Sequence, residues 1–348
     1  MFEKSFITDC EGPLTLNDNA FELSAKFIEN GDELFKILSL YDDYLVDVVK
    51  KENYKAGNTL KLILPFFVVE NIKNGDMIDF SQNNIYSVAD SKFLLTYLKE
   101  AMNTYIVSTS YGQYIEAVSN YMEVPFENTF YTNVDVDGLT LNDDEIKKVR
   151  EFKEMILENP TDYELFDDIF FSQITKMGIY EKIKDIEVVG GLGKKLAIDK
   201  IIERDKIDIN NMLYIGDSIT DVEPLEFARN NNGISISFNG NEYPLKVAEI
   251  AIVSPSAVTT AVIADIYANN DKNKVLNFIE DYNASSDCEE LFNQYEIDLK
   301  VKEKFFEVFD SENYPIIKLI NENNFDDILK SSKYMRNNIR GQDIGGLG

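Results

Sequence analysis

The segment Ser5-Phe6-Ile7-Thr8-Asp9-Cys10-Glu11-Gly12-Pro13-Leu14-Thr15 leaves the chain little choice of how to begin folding. Phe6 and Ile7 sit in a short apolar run that stops at an acid; a second acid follows two residues later, and Gly12-Pro13 then turns the backbone. A buried parallel strand ends this way when it delivers carboxylates to the mouth of a sheet. A carboxylate fixed there can attack phosphorus, and a neighbouring acid can handle the leaving group's proton.

With 348 residues, the chain can build one sizeable α/β core with an accessory region, or two domains. A formal charge of -28 argues against nucleic acid and anionic membrane as partners, because a polyanion would be repelled over the whole surface. The same field repels a phosphorylated small molecule, so a phosphate site needs local cations or a bound metal to reverse the sign. Histidine is absent, which removes Ser-His-Asp and Cys-His mechanisms and most catalytic zinc sites and leaves carboxylate, lysine and oxygen-ligated metal chemistry. Cys10 and Cys288 make neither a disulfide framework nor a zinc cluster. The longest apolar candidate, residues 60–69, is interrupted by Lys61 and Pro65, so no membrane insertion is expected. The opening Met-Phe-Glu-Lys lacks the regions of a secretory signal, and a cytoplasmic protein is expected.

Residues 19–84 are mainly helical in pattern, with Phe21, Leu23, Phe27, Leu34, Ile37 and Leu38 at helical spacing and a more buried helix over 60–72. This block separates the first strand from the next and reads as an inserted helical cap, 19–85. An amphipathic helix over 87–101 leads into a strand over 104–107 that stops at Ser108-Thr109-Ser110. A helix over 113–122, a strand over 128–136 and a charged helical insertion at about 139–186 follow. Val188-Val189 then reads as a strand before the turn Gly190-Gly191-Leu192-Gly193 and a helix through Arg204. The strand at 212–215 ends in Gly216-Asp217-Ser218-Ile219-Thr220-Asp221, and strands at 233–238 and 249–253 complete the pattern. Alternation of this kind predicts an α/β fold with a doubly wound parallel sheet, its core formed by 1–18 and 86–268. Residues 269–348 show no strand pattern and read as a helical extension, with helices at 272–282, 298–309 and 325–336.

Strand ends and polar groups coincide at Asp9 with Glu11, at Ser108, at Lys194 and at Asp217 with Asp221. In a doubly wound sheet these endings face one crevice. Two carboxylates ~4 Å apart repel by roughly 4 kcal/mol at an effective dielectric of ~20. Asp9 and Asp217 can share the crevice only with a compensating cation, and Mg²⁺, which uses one or two carboxylates plus a substrate phosphate, suits it.

These motifs resemble those of the haloacid dehalogenase (HAD) superfamily, in the phosphoserine-phosphatase-like layout with a helical cap after the first motif. Asp9 to Thr15 is similar to the family's first motif, Ile106-Val107-Ser108 to its second, Gly193-Lys194 with Ala197 and Ile198 to its third, and Gly216 to Asp221 to its fourth. A narrower resemblance is to archaeal HAD-type proteins catalogued as a subunit of energy-converting hydrogenase A. The superfamily resemblance implies a Rossmann-like core and a Mg²⁺-dependent phosphatase that hydrolyses a small phosphorylated metabolite through an aspartyl-phosphate on Asp9. It implies that Glu11 supplies its main-chain carbonyl to the metal and its side chain as general acid and base. Ser108 and the Thr109 N–H would hold the phosphoryl oxygens, Lys194 would neutralise their charge, Asp217 would ligate Mg²⁺, and Asp221 would act directly or through water.

Glu11 departs from the family, which usually has Asp there; the extra methylene moves the proton donor, and a misplacement of ~1 Å can cost ~10²-fold in rate. Residues 19–85 contain no arginine, so that stretch lacks the carboxylate clamp expected for phosphoserine. Each motif also has an ordinary structural use: Asp217-Ser218 as a helix cap, Ser108 as a capping hydroxyl, Lys194, Lys195 and Lys200 as a solvated helix face, Cys10 as packing. The alternatives to the phosphatase are a HAD-fold interaction subunit of a larger complex, partnering or self-associating through the helices after 269, and a phosphotransferase.

Overall fold

The computed structural model describes residues 2–347. Seven strands form one sheet: β1 (Ser5–Thr8), β2 (Asn103–Tyr111), β3 (Thr129–Thr132), β4 (Met212–Gly216), β5 (Ile234–Phe238), β6 (Ile250–Val253) and β7 (Ile316–Leu319). Their order is β3-β2-β1-β4-β5-β6-β7, parallel throughout except for β7. The chain winds outward from β1 through β2 to β3, then returns to place β4 on the other side of β1. The β1–β4 border is therefore the topological switch point, where a crevice opens beyond the carboxyl ends of the strands.

The period of two along each strand assigns the faces. Phe6, Ile106, Leu213 and Ile215 point into one apolar layer with the helices Ser91–Leu98 and Val258–Asn269, whereas Ile7, Tyr105, Val107 and Tyr214 meet Ala197, Ile198, Ile201 and Leu225 on the other side. Both faces are covered, which is why the strands are apolar runs rather than alternating ones.

Helices between β1 and β2 and those between β3 and β4 share one further apolar cluster. Tyr41 and Phe67 from the first group and Val149, Phe166 and Ile169 from the second are all fully buried in it. The two inserted blocks thus pack as a single helical body over the carboxyl ends of the strands.

Several elements depart from the sequence expectation. No strand forms at 188–189; the segment is extended and tied to the sheet edge by Val189 N–H donating to Thr132 Oγ1 at 3.1 Å. Strand β2 runs on to Tyr111, so Ser108 lies inside it, where the pairing with β3 shifts register between Val107 and Tyr111. The stretch expected as one helix over 60–72 is divided into Thr59–Leu62 and Leu64–Val69. Residues after 269 do supply a strand, β7, antiparallel to β6 with Ile317 opposite Ile252. Phe278, Phe292 and Phe305 of that region are fully buried in the same layer as Phe6, each removal from water being worth about 1.5–3 kcal/mol. Their apolar faces are thereby spent on the sheet. The final helix, Phe325–Gly345, runs well past 336 and breaks at Gly341, whose φ of 78° and ψ of 162° are not helical.

Candidate active site

Asp9 follows β1 directly and is 5% exposed. Its N–H extends the sheet by donating to Ile215 O at 2.9 Å, and its Oδ1 accepts from Cys10 N–H at 2.7 Å. Gly12 then turns the chain at φ +102°, and a Cβ at that position would lie 2.2 Å from Asp217 Cγ. Here only glycine serves, for its backbone angle and for the close approach of the β4 loop.

Lys194 comes from the first turn of the helix Leu192–Asp205 and is 0% exposed. Its ammonium donates to Asp9 Oδ2 at 2.6 Å and to Asp221 Oδ1 at 2.7 Å. Lys195 pairs with Asp199 at 2.6 Å and Lys200 is exposed, so of the three lysines Lys194 alone reaches the crevice. Asp221 Oδ1 also accepts from Tyr214 Oη at 2.7 Å, while Oδ2 takes the Asp217 and Ser218 N–H groups at 3.0 and 3.1 Å. With both oxygens engaged, Asp221 holds Lys194 and the 217–218 loop in place.

Burial works against both charges of this pair, but attraction prevails. It would raise the Asp221 carboxyl, yet the Lys194 charge and the hydrogen bonds from Lys194, Tyr214 and Asp217 hold it below the usual carboxylate range. Burial likewise lowers Lys194, and Asp221 and Asp9 more than restore it. Asp9 differs: burial, then the charges of Asp221 and Asp217, push its carboxyl up to about 8 despite Lys194.

Asp217 lies just beyond β4 and is buried. Two arginines from the helix Phe325–Gly345 reach it. Arg336 Nη1 donates to Asp217 Oδ2 and to the Asp217 carbonyl, and Arg340 Nη1 donates to the same Oδ2 at 3.0 Å. The chain has five arginines in an acidic composition, and these two stand four residues apart immediately before Gly341. That spacing was the available signal, but a solvated helix face has the same pattern.

Glu11 and Thr109 border a cavity of about 100 Å³ with Asp9, Asp18, Asp217, Ser110 and the inserted-body residues Phe35, Asp42, Asp43 and Leu60. Glu11 Oε1 accepts the Asn19 N–H at 2.7 Å, at the start of the helix Asn19–Phe27, so the core loop and the inserted body meet at this carboxyl. Burial first, then Asp18, raises the Glu11 carboxyl well above its ordinary value. The Thr109 hydroxyl is buried without a protein partner. Ser108 is buried in β2, accepts the Ser110 N–H at 3.2 Å and does not border the cavity. Asp18, which accepts the Phe21 N–H at 3.0 Å as an N-cap, and Arg336 and Arg340 are cavity residues that sequence reasoning missed.

Asp9, Asp217 and Asp221 each bring a carboxylate oxygen within 4.8 Å of the others. All are hard oxygen donors, three carboxylates that share the single ammonium of Lys194 on the Asp9 and Asp221 side. The donor set fits a hard divalent cation such as Mg²⁺, with Asp9 and Asp217 as the available side-chain ligands.

Fold and site together define an α/β protein that gathers buried carboxylates at the switch point of a largely parallel sheet. Over 99% of both chains it is similar to a gene product of Archaeoglobus fulgidus, at 28% identity and a TM-score of 0.83. A phospho-aspartyl intermediate analogue of phosphoserine phosphatase aligns over 72% of this chain and 93% of its own, at 12% identity and a TM-score of 0.48. A substrate-bound phosphoserine phosphatase aligns over 74% and 95%, at 13% identity and a TM-score of 0.47. No family model and no curated protein matches the chain. The resemblance to a hydrogenase subunit gains no support from these structures. Among the described residues, no helix is long and apolar enough to cross a membrane.

Proposed function

We propose that the protein is a divalent-cation-dependent phosphatase of the HAD type that hydrolyses a small phosphorylated molecule through an aspartyl-phosphate on Asp9. The observation that carries this reading is the placement of Asp9: at the end of β1, bordering the cavity, with one oxygen on Lys194 at 2.6 Å and Asp217 within cation-sharing distance.

In this reading an Asp9 oxygen attacks phosphorus, the ester P–O bond breaks, and Glu11 gives its proton to the departing oxygen. A raised Glu11 carboxyl suits it to that task, since an acid must hold its proton at working pH to donate it. Water then attacks the phosphorus, Glu11 takes up its proton, and the bond to Asp9 breaks to release phosphate. Lys194 offsets charge on the phosphoryl oxygens, and Thr109, whose hydroxyl lacks a partner, donates to one of them. A bound Mg²⁺ would supply Lewis-acid stabilisation at the phosphoryl group and lower the Asp9 carboxyl into the ionised range. The body 19–85 acts as a cap whose small, partly apolar cavity favours a compact substrate.

A panel of phosphate esters with Mg²⁺, run beside Asp9→Asn, tests this: turnover by the native protein is expected to vanish in the variant. Absence of turnover across the panel, or turnover that survives the substitution, would exclude the reading. A second reading, a non-catalytic interaction subunit, draws on the two guanidiniums that already occupy Asp217. It requires that no divalent cation binds there.

A further inference from the structure

The segment 336–347 joins three parts of the molecule. Arg336 and Arg340 hold Asp217 of the core, and Arg340 also donates from Nε to Leu16 O at 3.1 Å and from Nη2 to Asn17 O at 2.6 Å, where the chain leaves the core for the cap. Beyond the break at Gly341, Asp343 pairs with Lys36 of the cap at 2.7 Å, and Ile344 and Leu347 pack on the cap's apolar cluster. Arg336 closes the loop on itself, donating from Nε to Gly345 O and from Nη2 to Leu347 O, both at 2.9 Å. Every guanidinium nitrogen of both arginines thus donates to at least one protein oxygen. Arg336 is only 3% exposed.

From this geometry we infer that residues 336–347 are a latch that competes with a divalent cation for Asp217 and ties the cap to the core at the cavity's edge when no cation is bound. The inference rests on Asp217 being a cation ligand, as proposed above. One dication next to two guanidiniums on a single buried carboxylate is strongly repelled, whereas exchanging the two guanidiniums for one dication leaves the charge beside Asp217 unchanged. Cation entry therefore releases the arginines, and with them the contacts to residues 16–17 and to the cap. The latch is made by Gly341, whose φ and ψ lie in a region essentially closed to other residues, so the fold-back of 342–347 depends on it. A Cβ at Gly341 would meet nothing within 4 Å, so Gly341→Ala acts on the backbone conformation and leaves the site's side chains intact.

Two readouts independent of turnover test the latch. Mn²⁺ binding, followed by the electron paramagnetic resonance of the free ion, is expected to tighten roughly tenfold or more in Gly341→Ala and in Arg340→Gln relative to the native protein. Trypsin cleavage after Arg340 of the native protein, followed by intact mass, is expected to be slow without cation and several-fold faster with saturating Mn²⁺. Circular dichroism establishes that the variants are folded, and should Arg340→Gln fail that check, Gly341→Ala carries the test alone. Native-like Mn²⁺ affinity in folded variants, or cleavage indifferent to bound Mn²⁺, overturns the latch while leaving the cation site standing. No Mn²⁺ binding in any form, with Asp217→Asn identical to native, overturns the cation site and the latch together.

Discussion

Replacing Lys194 by Met removes the ammonium that bridges Asp9 and Asp221, and its effect can be worked from the distances. Two contacts of 2.6 and 2.7 Å to a fully buried Nζ each represent roughly 6 kcal/mol of attraction at an effective dielectric of ~20. Much of that is offset by the cost of taking the three charges out of water, and removing one partner of a buried pair costs about 3–5 kcal/mol net. Urea unfolding of Lys194→Met at pH 8 is expected to show a loss of that size. The loss should shrink by pH 5. Asp9, raised to about 8 in the folded protein by burial and by Asp221 and Asp217, holds its proton at pH 5 and needs no counter-ion. A carboxyl raised on folding contributes stability at pH below its unfolded value that is lost as pH climbs towards the folded value, and without Lys194 that window extends upward. In a double-mutant cycle with Asp221→Asn, the second change should restore part of the loss, with a coupling of about 1–3 kcal/mol. Additivity within ~0.5 kcal/mol, or a loss identical at pH 5 and pH 8, would refute the claim that Lys194 is held by these two acids.

Two further substitutions probe the scaffold. Gly12→Ala combines a φ of +102° with a Cβ 2.2 Å from Asp217 Cγ, so it is expected to lower stability by roughly 3 kcal/mol and to weaken Mn²⁺ binding; a melting temperature and affinity like the native protein's would contradict the close approach. Asp43, at the end of the helix Gly31–Asp43, is pushed up to about 7 by burial first and then by Asp42, Asp47 and Glu242. Its contribution is present below about pH 4 and fades towards pH 7. Asp43→Asn should therefore flatten the decline in stability between pH 5 and pH 8 by about 1–2 kcal/mol, allowing for solvent screening of a half-buried group; an unchanged pH slope would count against it.

Strands β1, β2, β4, β5 and β6 were legible because each is buried on both faces and reads as an apolar run ending in a turn, and the alternation with helices fixed the sheet as doubly wound. What failed depended on partners distant in sequence. Ile316 to Leu319 are strand only because β6 offers them an unpaired edge, and Val188-Val189 have the composition of a strand but meet the β3 edge through the Thr132 side chain and not through a main-chain ladder. Ser108 was placed at a strand end because polar residues follow it, yet Thr109 and Ser110 continue the strand across a register shift.

Arg336 and Arg340 are the more instructive omission, since the sequence argument demanded them without naming them. A chain of charge -28 needs a local reversal of sign to accept phosphate, and Lys194 was the only cation the motifs supplied. Asp9, Glu11, Asp18, Asp42, Asp43 and Asp217 border the cavity and Asp221 stands behind Asp9 on Lys194, seven acids against Lys194, Arg336 and Arg340. Three cations leave acids in excess, and the carboxyls of Asp9, Glu11 and Asp18 are all raised, by burial first and then by neighbouring acids. A dication that displaced the guanidiniums would keep this total while moving positive charge between Asp9 and Asp217. The site's chemistry and its closure would then be two uses of the same charge balance, and the arginines belong to the site although they lie more than a hundred residues beyond the last motif.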